Sequence, residues 1–163
     1  MELRSRVIRD WPKLAWVARC NARDVEVLRG PMVECAPLWC VEAVWDGPFE
    51  DGDFDRTDAV YGSGIRLRGD HVVFVSGSTT FDRLWHCRQA DTWTVSNSLP
   101  ALLAAAGLSL RDDHAHYTAD IQSITRGIND YPDFRRSSPI SDNRRFFSAE
   151  SLTFWQISAA KAV

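Results

Sequence analysis

Asp51, Asp53 and Asp55 place carboxylates at alternate positions of a glycine-containing acidic stretch, the pattern of a calcium loop. Such a loop also needs glycine at its sixth position and glutamate at its twelfth, and Arg56 and Gly62 stand there. A solvated acidic turn is the plainer reading, with a divalent cation on Asp51, Asp53 and Asp55 as the chemical alternative. Ser76-Gly77-Ser78-Thr79 follows a short apolar run, where a phosphate-binding loop begins. Cradling a phosphate takes several converging backbone N–H groups ahead of a helix N-terminus. Here there is one glycine, and Leu84-Trp85-His86 reads as a strand, so a polar hairpin loop competes with phosphate binding at Ser76, Gly77, Ser78 and Thr79. His114 and His116 beside Asp112 and Asp113, and Cys35 and Cys40 with His86-Cys87, are the remaining ligand-type groups. Zinc sites show closer pairing, and the strands carrying Cys35 and Cys40 are expected to point them apart or inward. Buried thiols and a surface histidine pair are expected instead. No nucleophile elbow, Rossmann glycine pattern or Walker loop is present.

The elements that must position these groups are mostly strands. Val72-Val73-Phe74-Val75 is a continuous apolar run, short and β-branched, as in a strand buried on both faces. Leu84-Trp85-His86-Cys87 and Thr92-Trp93-Thr94-Val95 follow as two more. Ser96-Asn97-Ser98 then supplies caps, Pro100 suits a first helical turn, and Leu99, Leu102, Leu103 and Ala106 recur at helical spacing up to a stop at Gly107. Upstream, residues 1–12 read as a polar lead-in, and strands are expected near 14–18, 24–28, 32–35, 39–45 and 65–68. In the fourth of these, Trp39, Val41, Ala43 and Trp45 share one face, with Cys40, Glu42 and Val44 on the other. The run 46–58 must be a loop. Beyond Gly107, a helix is expected over 112–123, irregular structure over 129–143, and a short helix in the tail from Ser148. The expectation is an α+β domain, a layered β-rich sandwich of antiparallel strands with few helices. It divides into a β-rich domain at 1–134 and an irregular linker and tail at 135–163.

The three strands and capped helix resemble the glutaminase-like N-terminal domain of asparagine synthetases, a class II glutamine amidotransferase domain with the N-terminal-nucleophile αββα fold. Residues 72–76, 81–86, 93–95 and 96–103 match its pieces in order and spacing, and Ser98-Leu99-Pro100-Ala101-Leu102-Leu103 resembles its serine-led helix start. The likeness spans roughly residues 60–135. It implies a cysteine directly after the initiator methionine, whose thiol attacks the glutamine amide with its own α-amine as base. Glu2 stands there, and none of Cys20, Cys35, Cys40 or Cys87 replaces it unless proteolysis exposes its amine. The family's glutamine-binding arginine and Asn-Gly motifs are not identifiable. The resemblance therefore implies a domain that has lost glutaminase chemistry, uses no cofactor and has no catalytic residue. It would be the accessory part of an ATP-dependent amide-forming ligase system, docking to a synthetase-like chain or to itself. Phe154 and Trp155 in the apolar tail are the expected anchors.

Composition bounds the alternatives. At 163 residues one domain is expected. A net charge of -3, with no basic stripe in the middle of the chain, does not suggest a nucleic-acid surface. No run approaches the roughly 20 apolar residues of a membrane span. The N-terminus lacks the apolar stretch of a signal peptide, and four irregularly spaced cysteines fit a reducing cytoplasm. Two rival readings remain: a stand-alone small-molecule-binding module, and a hydrolase with an unrecognised cysteine site.

Overall fold

The computed structural model describes residues 1–77 and 84–109, and the backbone of 147–149 and 155–158. Its strands are β1 (Glu2–Val7), β2 (Trp16–Cys20), β3 (Asp24–Arg29), β4 (Glu34–Ala36), β5 (Trp39–Trp45), β6 (Val60–Arg68), β7 (His71–Ser76), β8 (Leu84–Gln89), β9 (Thr92–Ser96), β10 (Phe147–Ala149) and β11 (Trp155–Ser158). One α-helix, α1 (Leu99–Ala106), and two 3-10 turns, Phe49–Asp51 and Phe54–Arg56, complete the described elements. They form an α+β arrangement of two sheets, ordered β1-β3-β2-β9-β8-β10 and β11-β7-β6-β5-β4. Every pairing is antiparallel except β1 with β3.

Alternation along the strands explains why the sheets stack. Trp16, Ala18 and Cys20 of β2, Val25 and Val27 of β3, and Val95 of β9 face inward from the first sheet. They meet Cys40 of β5, Ile65 and Leu67 of β6, and Val72 and Phe74 of β7 from the second. Trp16 stacks on Phe74 across this core at 6.3 Å between ring centroids. Strands of period two thus give each sheet an apolar inner face, and face-to-face packing removes both faces from water.

Each sheet is covered on its outer side as well. Helix α1 buries Ala101 and Leu102 against the first sheet, lying over β2, β8 and β9. Ser98 caps it by accepting from Ala101 N, and Gly107 ends it in the left-handed conformation at φ 64°, where its N–H closes on Ala104 O. On the second sheet the acidic loop and its two 3-10 turns form a lid. Phe54, fully buried, sits among Trp39, Val41, Val60, Val73 and Val75. The lid's φ of 59° at Gly52 is matched by its contact with Trp39, whose indole a Cβ there would enter.

Several expectations change. Residues 1–12 are not a polar lead-in: β1 forms within them, because Leu3 packs inward on the core while its polar neighbours face solvent. Cys35 and Cys40 do not point apart. They are direct cross-strand partners around Pro37-Leu38 and form a disulfide, with Cα atoms 4.1 Å apart. A two-residue connection brings opposed residues that close, which spacing alone did not reveal. In the tail, 147–149 and 155–158 are strands, not helix. The first extends β8 and the second extends β7, so each sheet gains an edge partner. The helix expected over 112–123 lies outside the described residues. No helix among those described is long and apolar enough to cross a membrane.

Candidate functional site

At one end of the sandwich the inward faces stop being apolar. Ser76, Ser63 and Glu42 are successive register partners on β7, β6 and β5, and all three follow the inward-facing positions of their strands. From the other sheet, Trp16 at the start of β2 and Asn97 in the turn between β9 and α1 reach the same place. The indole Nε1 of Trp16 donates to Ser63 Oγ at 3.0 Å, and Ser63 Oγ donates to Glu42 Oε1 at 2.5 Å. Asn97 Nδ2 donates to the same Glu42 oxygen at 3.2 Å and to Leu14 O at 2.9 Å. Asn97 Oδ1 accepts from Trp16 N at 2.9 Å.

The turn that delivers Asn97 is fastened from within. Ser96 Oγ, fully buried, donates to Trp16 O at 2.6 Å and accepts from Ser98 N at 2.9 Å. A buried hydroxyl satisfied on both sides holds a geometry that a loose loop would lose. The result is a hydrogen-bonded carboxylate that ties the two sheets together where the sandwich opens. One step further out, Val44 and Tyr61 are cross-strand partners, 67% and 59% exposed. Leu14, whose carbonyl Asn97 holds, is 48% exposed. Exposed apolar side chains thus lie beside the satisfied polar groups of the network.

Ser63 is 3% exposed and already accepts from Trp16, so it is poorly placed as a nucleophile. Burial pushes the Cys20 thiol up to about 12, which leaves it inert at neutral pH. Cys35 and Cys40 are consumed by their disulfide. Burial also pulls His86 down to about 4; its ring lies 5.6 Å from that of Trp93.

The groups singled out in the sequence fall as follows. Ser76 ends β7 beside Ser63, and Gly77 is buried next to it. The next described element is strand β8, not a helix. Ser78, Thr79, His114, His116 and Phe154 lie outside the described residues, and Trp155 is placed only as a β11 partner of Phe74. Asp51 ends the first 3-10 turn. Asp53 and Asp55 meet a guanidinium: Arg68 donates Nε and Nη2 to Asp55 at 2.9 and 2.6 Å, and Nη2 to Asp53 at 2.5 Å. The hydrogen bond from Arg68, supported by the charges of Arg56 and Arg66, holds Asp53 below the usual carboxylate range, and the two carboxylates hold Arg68 up. These carboxylates fasten the lid to β6, which is a structural use of the calcium-like spacing. Among the described residues no three His, Cys, Asp or Glu side chains converge as a metal site would require.

Glu42, Ser63 and Trp16 were not singled out in the sequence as site residues. The usable signal was Glu42 on the face of β5 opposite its tryptophans, a carboxylate sharing a face with Cys40. No family model, curated protein or solved structure matches the chain.

Proposed function

We propose that this chain is a glutaminase-like domain of the N-terminal-nucleophile type that lacks the nucleophile. It acts by docking to a synthetase-like, ATP-dependent amide-forming partner. The layer order of helix, sheet and sheet supports the αββα reading, as does the sequence of β7, β8, β9 and a serine-capped α1. Glu2 begins β1, an exposed strand at the edge of the first sheet. The observation that carries the docking reading is the exposed pair Val44 and Tyr61 at the mouth, backed by the Glu42–Ser63–Asn97 network. Rigid aromatic anchors over satisfied polar groups are what association uses. Phe154 and Trp155 belong to this reading as further anchors.

The test is the affinity between the chain and the synthetase-like protein encoded nearest to it. A saturable complex that weakens at least about thirtyfold in Val44→Ser/Tyr61→Ser, as loss of a hot spot does, supports the reading. No complex, or one indifferent to both changes, overturns it. Release of ammonia from glutamine by the purified chain would overturn the lost-chemistry half. The reading places the domain in the cytoplasm, a compartment in which a disulfide such as Cys35–Cys40 is seldom kept. Four titrating thiols in denatured, freshly isolated protein fit that compartment, and two fit an oxidising one.

A further inference from the structure

A second concavity lies away from the mouth, on the outer face of the first sheet at the other end of β2 and β9. It is a cavity of about 580 Å³, within the usual range for small-molecule sites of roughly 300–1,000 Å³. Its floor is one cross-strand row. Arg4, Glu26, Arg19 and Thr94 are successive register partners on β1, β3, β2 and β9. Strands about 4.8 Å apart set a cation, an anion, a cation and a hydroxyl side by side.

Opposed charges on neighbouring strands normally pair with each other. Here both arginines are drawn elsewhere. Arg4 Nη2 lies 3.0 Å from Asp24 Oδ2, and Arg19 Nη2 donates to Ala105 O at the end of α1. Gln89 Nε2 donates to Ala106 O at 2.9 Å and closes the same helix end. Glu26 is left, among the described residues, with no ion pair to either flanking arginine. Arg19 uses one of its five N–H donors on Ala105 and keeps the rest. Thr94, 2% exposed, lies at the base of the cavity between the charged row and β8.

The charges around the cavity balance: Arg4 and Arg19 against Asp24 and Glu26. A ligand with a net charge of either sign gains little from such a lining. One carrying both charges gains twice, with an ammonium at Glu26 and a carboxylate at Arg19. The carbonyl end of α1 lies on the Arg19 side of the cavity, where Ala105 O takes one of the guanidinium's donors. The volume leaves room beyond the charged core for a long side chain or a second residue. We propose that this cavity binds a small zwitterion, a free amino acid or a dipeptide, through Glu26 and Arg19. The site is on a different face from the docking surface and does not depend on it.

Calorimetric titration of the full chain with the common amino acids and a set of dipeptides tests this. Each ligand that binds is compared with its analogue lacking the amine and its analogue with an amide for the carboxylate. At least one zwitterion should bind saturably, and each analogue should bind about tenfold more weakly or worse, the scale of a lost hydrogen bond to a charge. Glu26 is exposed, so Glu26→Gln should fold normally and weaken binding by a similar factor. Arg19→Lys, which keeps a donor for Ala105, should weaken it too. No saturable ligand in the panel overturns the proposal, as does equal binding of the amine without its carboxylate, or affinity unchanged in Glu26→Gln.

Discussion

Phe54 is the buried side chain by which the lid packs on the second sheet, beside the Asp53 and Asp55 contacts to Arg68, and Phe54→Ala measures how much that packing contributes. The ring is fully buried. Its centroid lies 5.3 Å from that of Trp45 and 6.5 Å from that of Trp39, both in edge-to-face geometry. A buried aromatic removes on the order of 150–250 Å² from water, and at about 25 cal/mol per Å² this is roughly 4–6 kcal/mol as an upper bound. Phe→Ala changes in cores cost about 3–5 kcal/mol. Opposite the ring, Gly64 leaves no space: a Cβ there would lie 2.8 Å from Phe54 Cε2, 2.8 Å from Val41 Cγ2 and 3.0 Å from Cys40 O. Gly64→Ala should therefore cost about 1–3 kcal/mol by overpacking. With Phe54→Leu in the same chain, one of the three collisions is relieved, so the double variant should lose about 1 kcal/mol less than the sum. Urea unfolding followed by tryptophan fluorescence reads the unmodified chain, the three single variants and the double variant. An unchanged midpoint for Phe54→Ala, or strict additivity, refutes the packing of the lid on this sheet.

Other perturbations have equally defined outcomes. Leu102→Ala should cost about 2–5 kcal/mol, because that side chain is fully buried under α1, whereas Ser98→Ala should cost only about 1 kcal/mol; both are read by urea unfolding. Asp55→Ala strips the 6%-exposed partner of Arg68 and should destabilise by about 3 kcal/mol, with Asp53 retaining part of the guanidinium's hydrogen bonding. His86 titrates near 4 when folded and 6.5 when unfolded, so the unfolded chain binds more protons between those values. Stability should be fully present above pH 6.5 and fall by up to about 3 kcal/mol as the pH drops to 4. His86→Leu should flatten that part of the profile, and an unaltered slope contradicts the burial of a neutral imidazole.

Strands β2, β3, β5, β7, β8 and β9, and the whole of α1 with its Ser98 cap and Gly107 stop, were legible because period-two and helical patterns are local properties of the chain. β1 was not, since an exposed edge strand has only Leu3 to bury and otherwise looks like polar coil. The lid was legible as a loop, but its attachment was not: Asp53 and Asp55 meet Arg68 across 13 or more positions of sequence, and their spacing mimics a cation loop. The mouth was half legible. Ser76 and the Asn97 turn stood out by composition, while Glu42 and Ser63 acquire meaning only through the β5–β6 register. The Arg4–Glu26–Arg19–Thr94 row needs four strands in register and has no signature in any one of them.

Docking through the mouth is tested most directly by oxidative footprinting of Tyr61, in the chain alone and in complex with the synthetase-like protein encoded nearest to it. Tyr61 is 59% exposed in the isolated chain and should be modified readily there. In the complex its modification should fall severalfold, while exposed residues on the outer face of the first sheet stay unchanged. A complex in which Tyr61 is modified as fast as in the free chain contradicts the account.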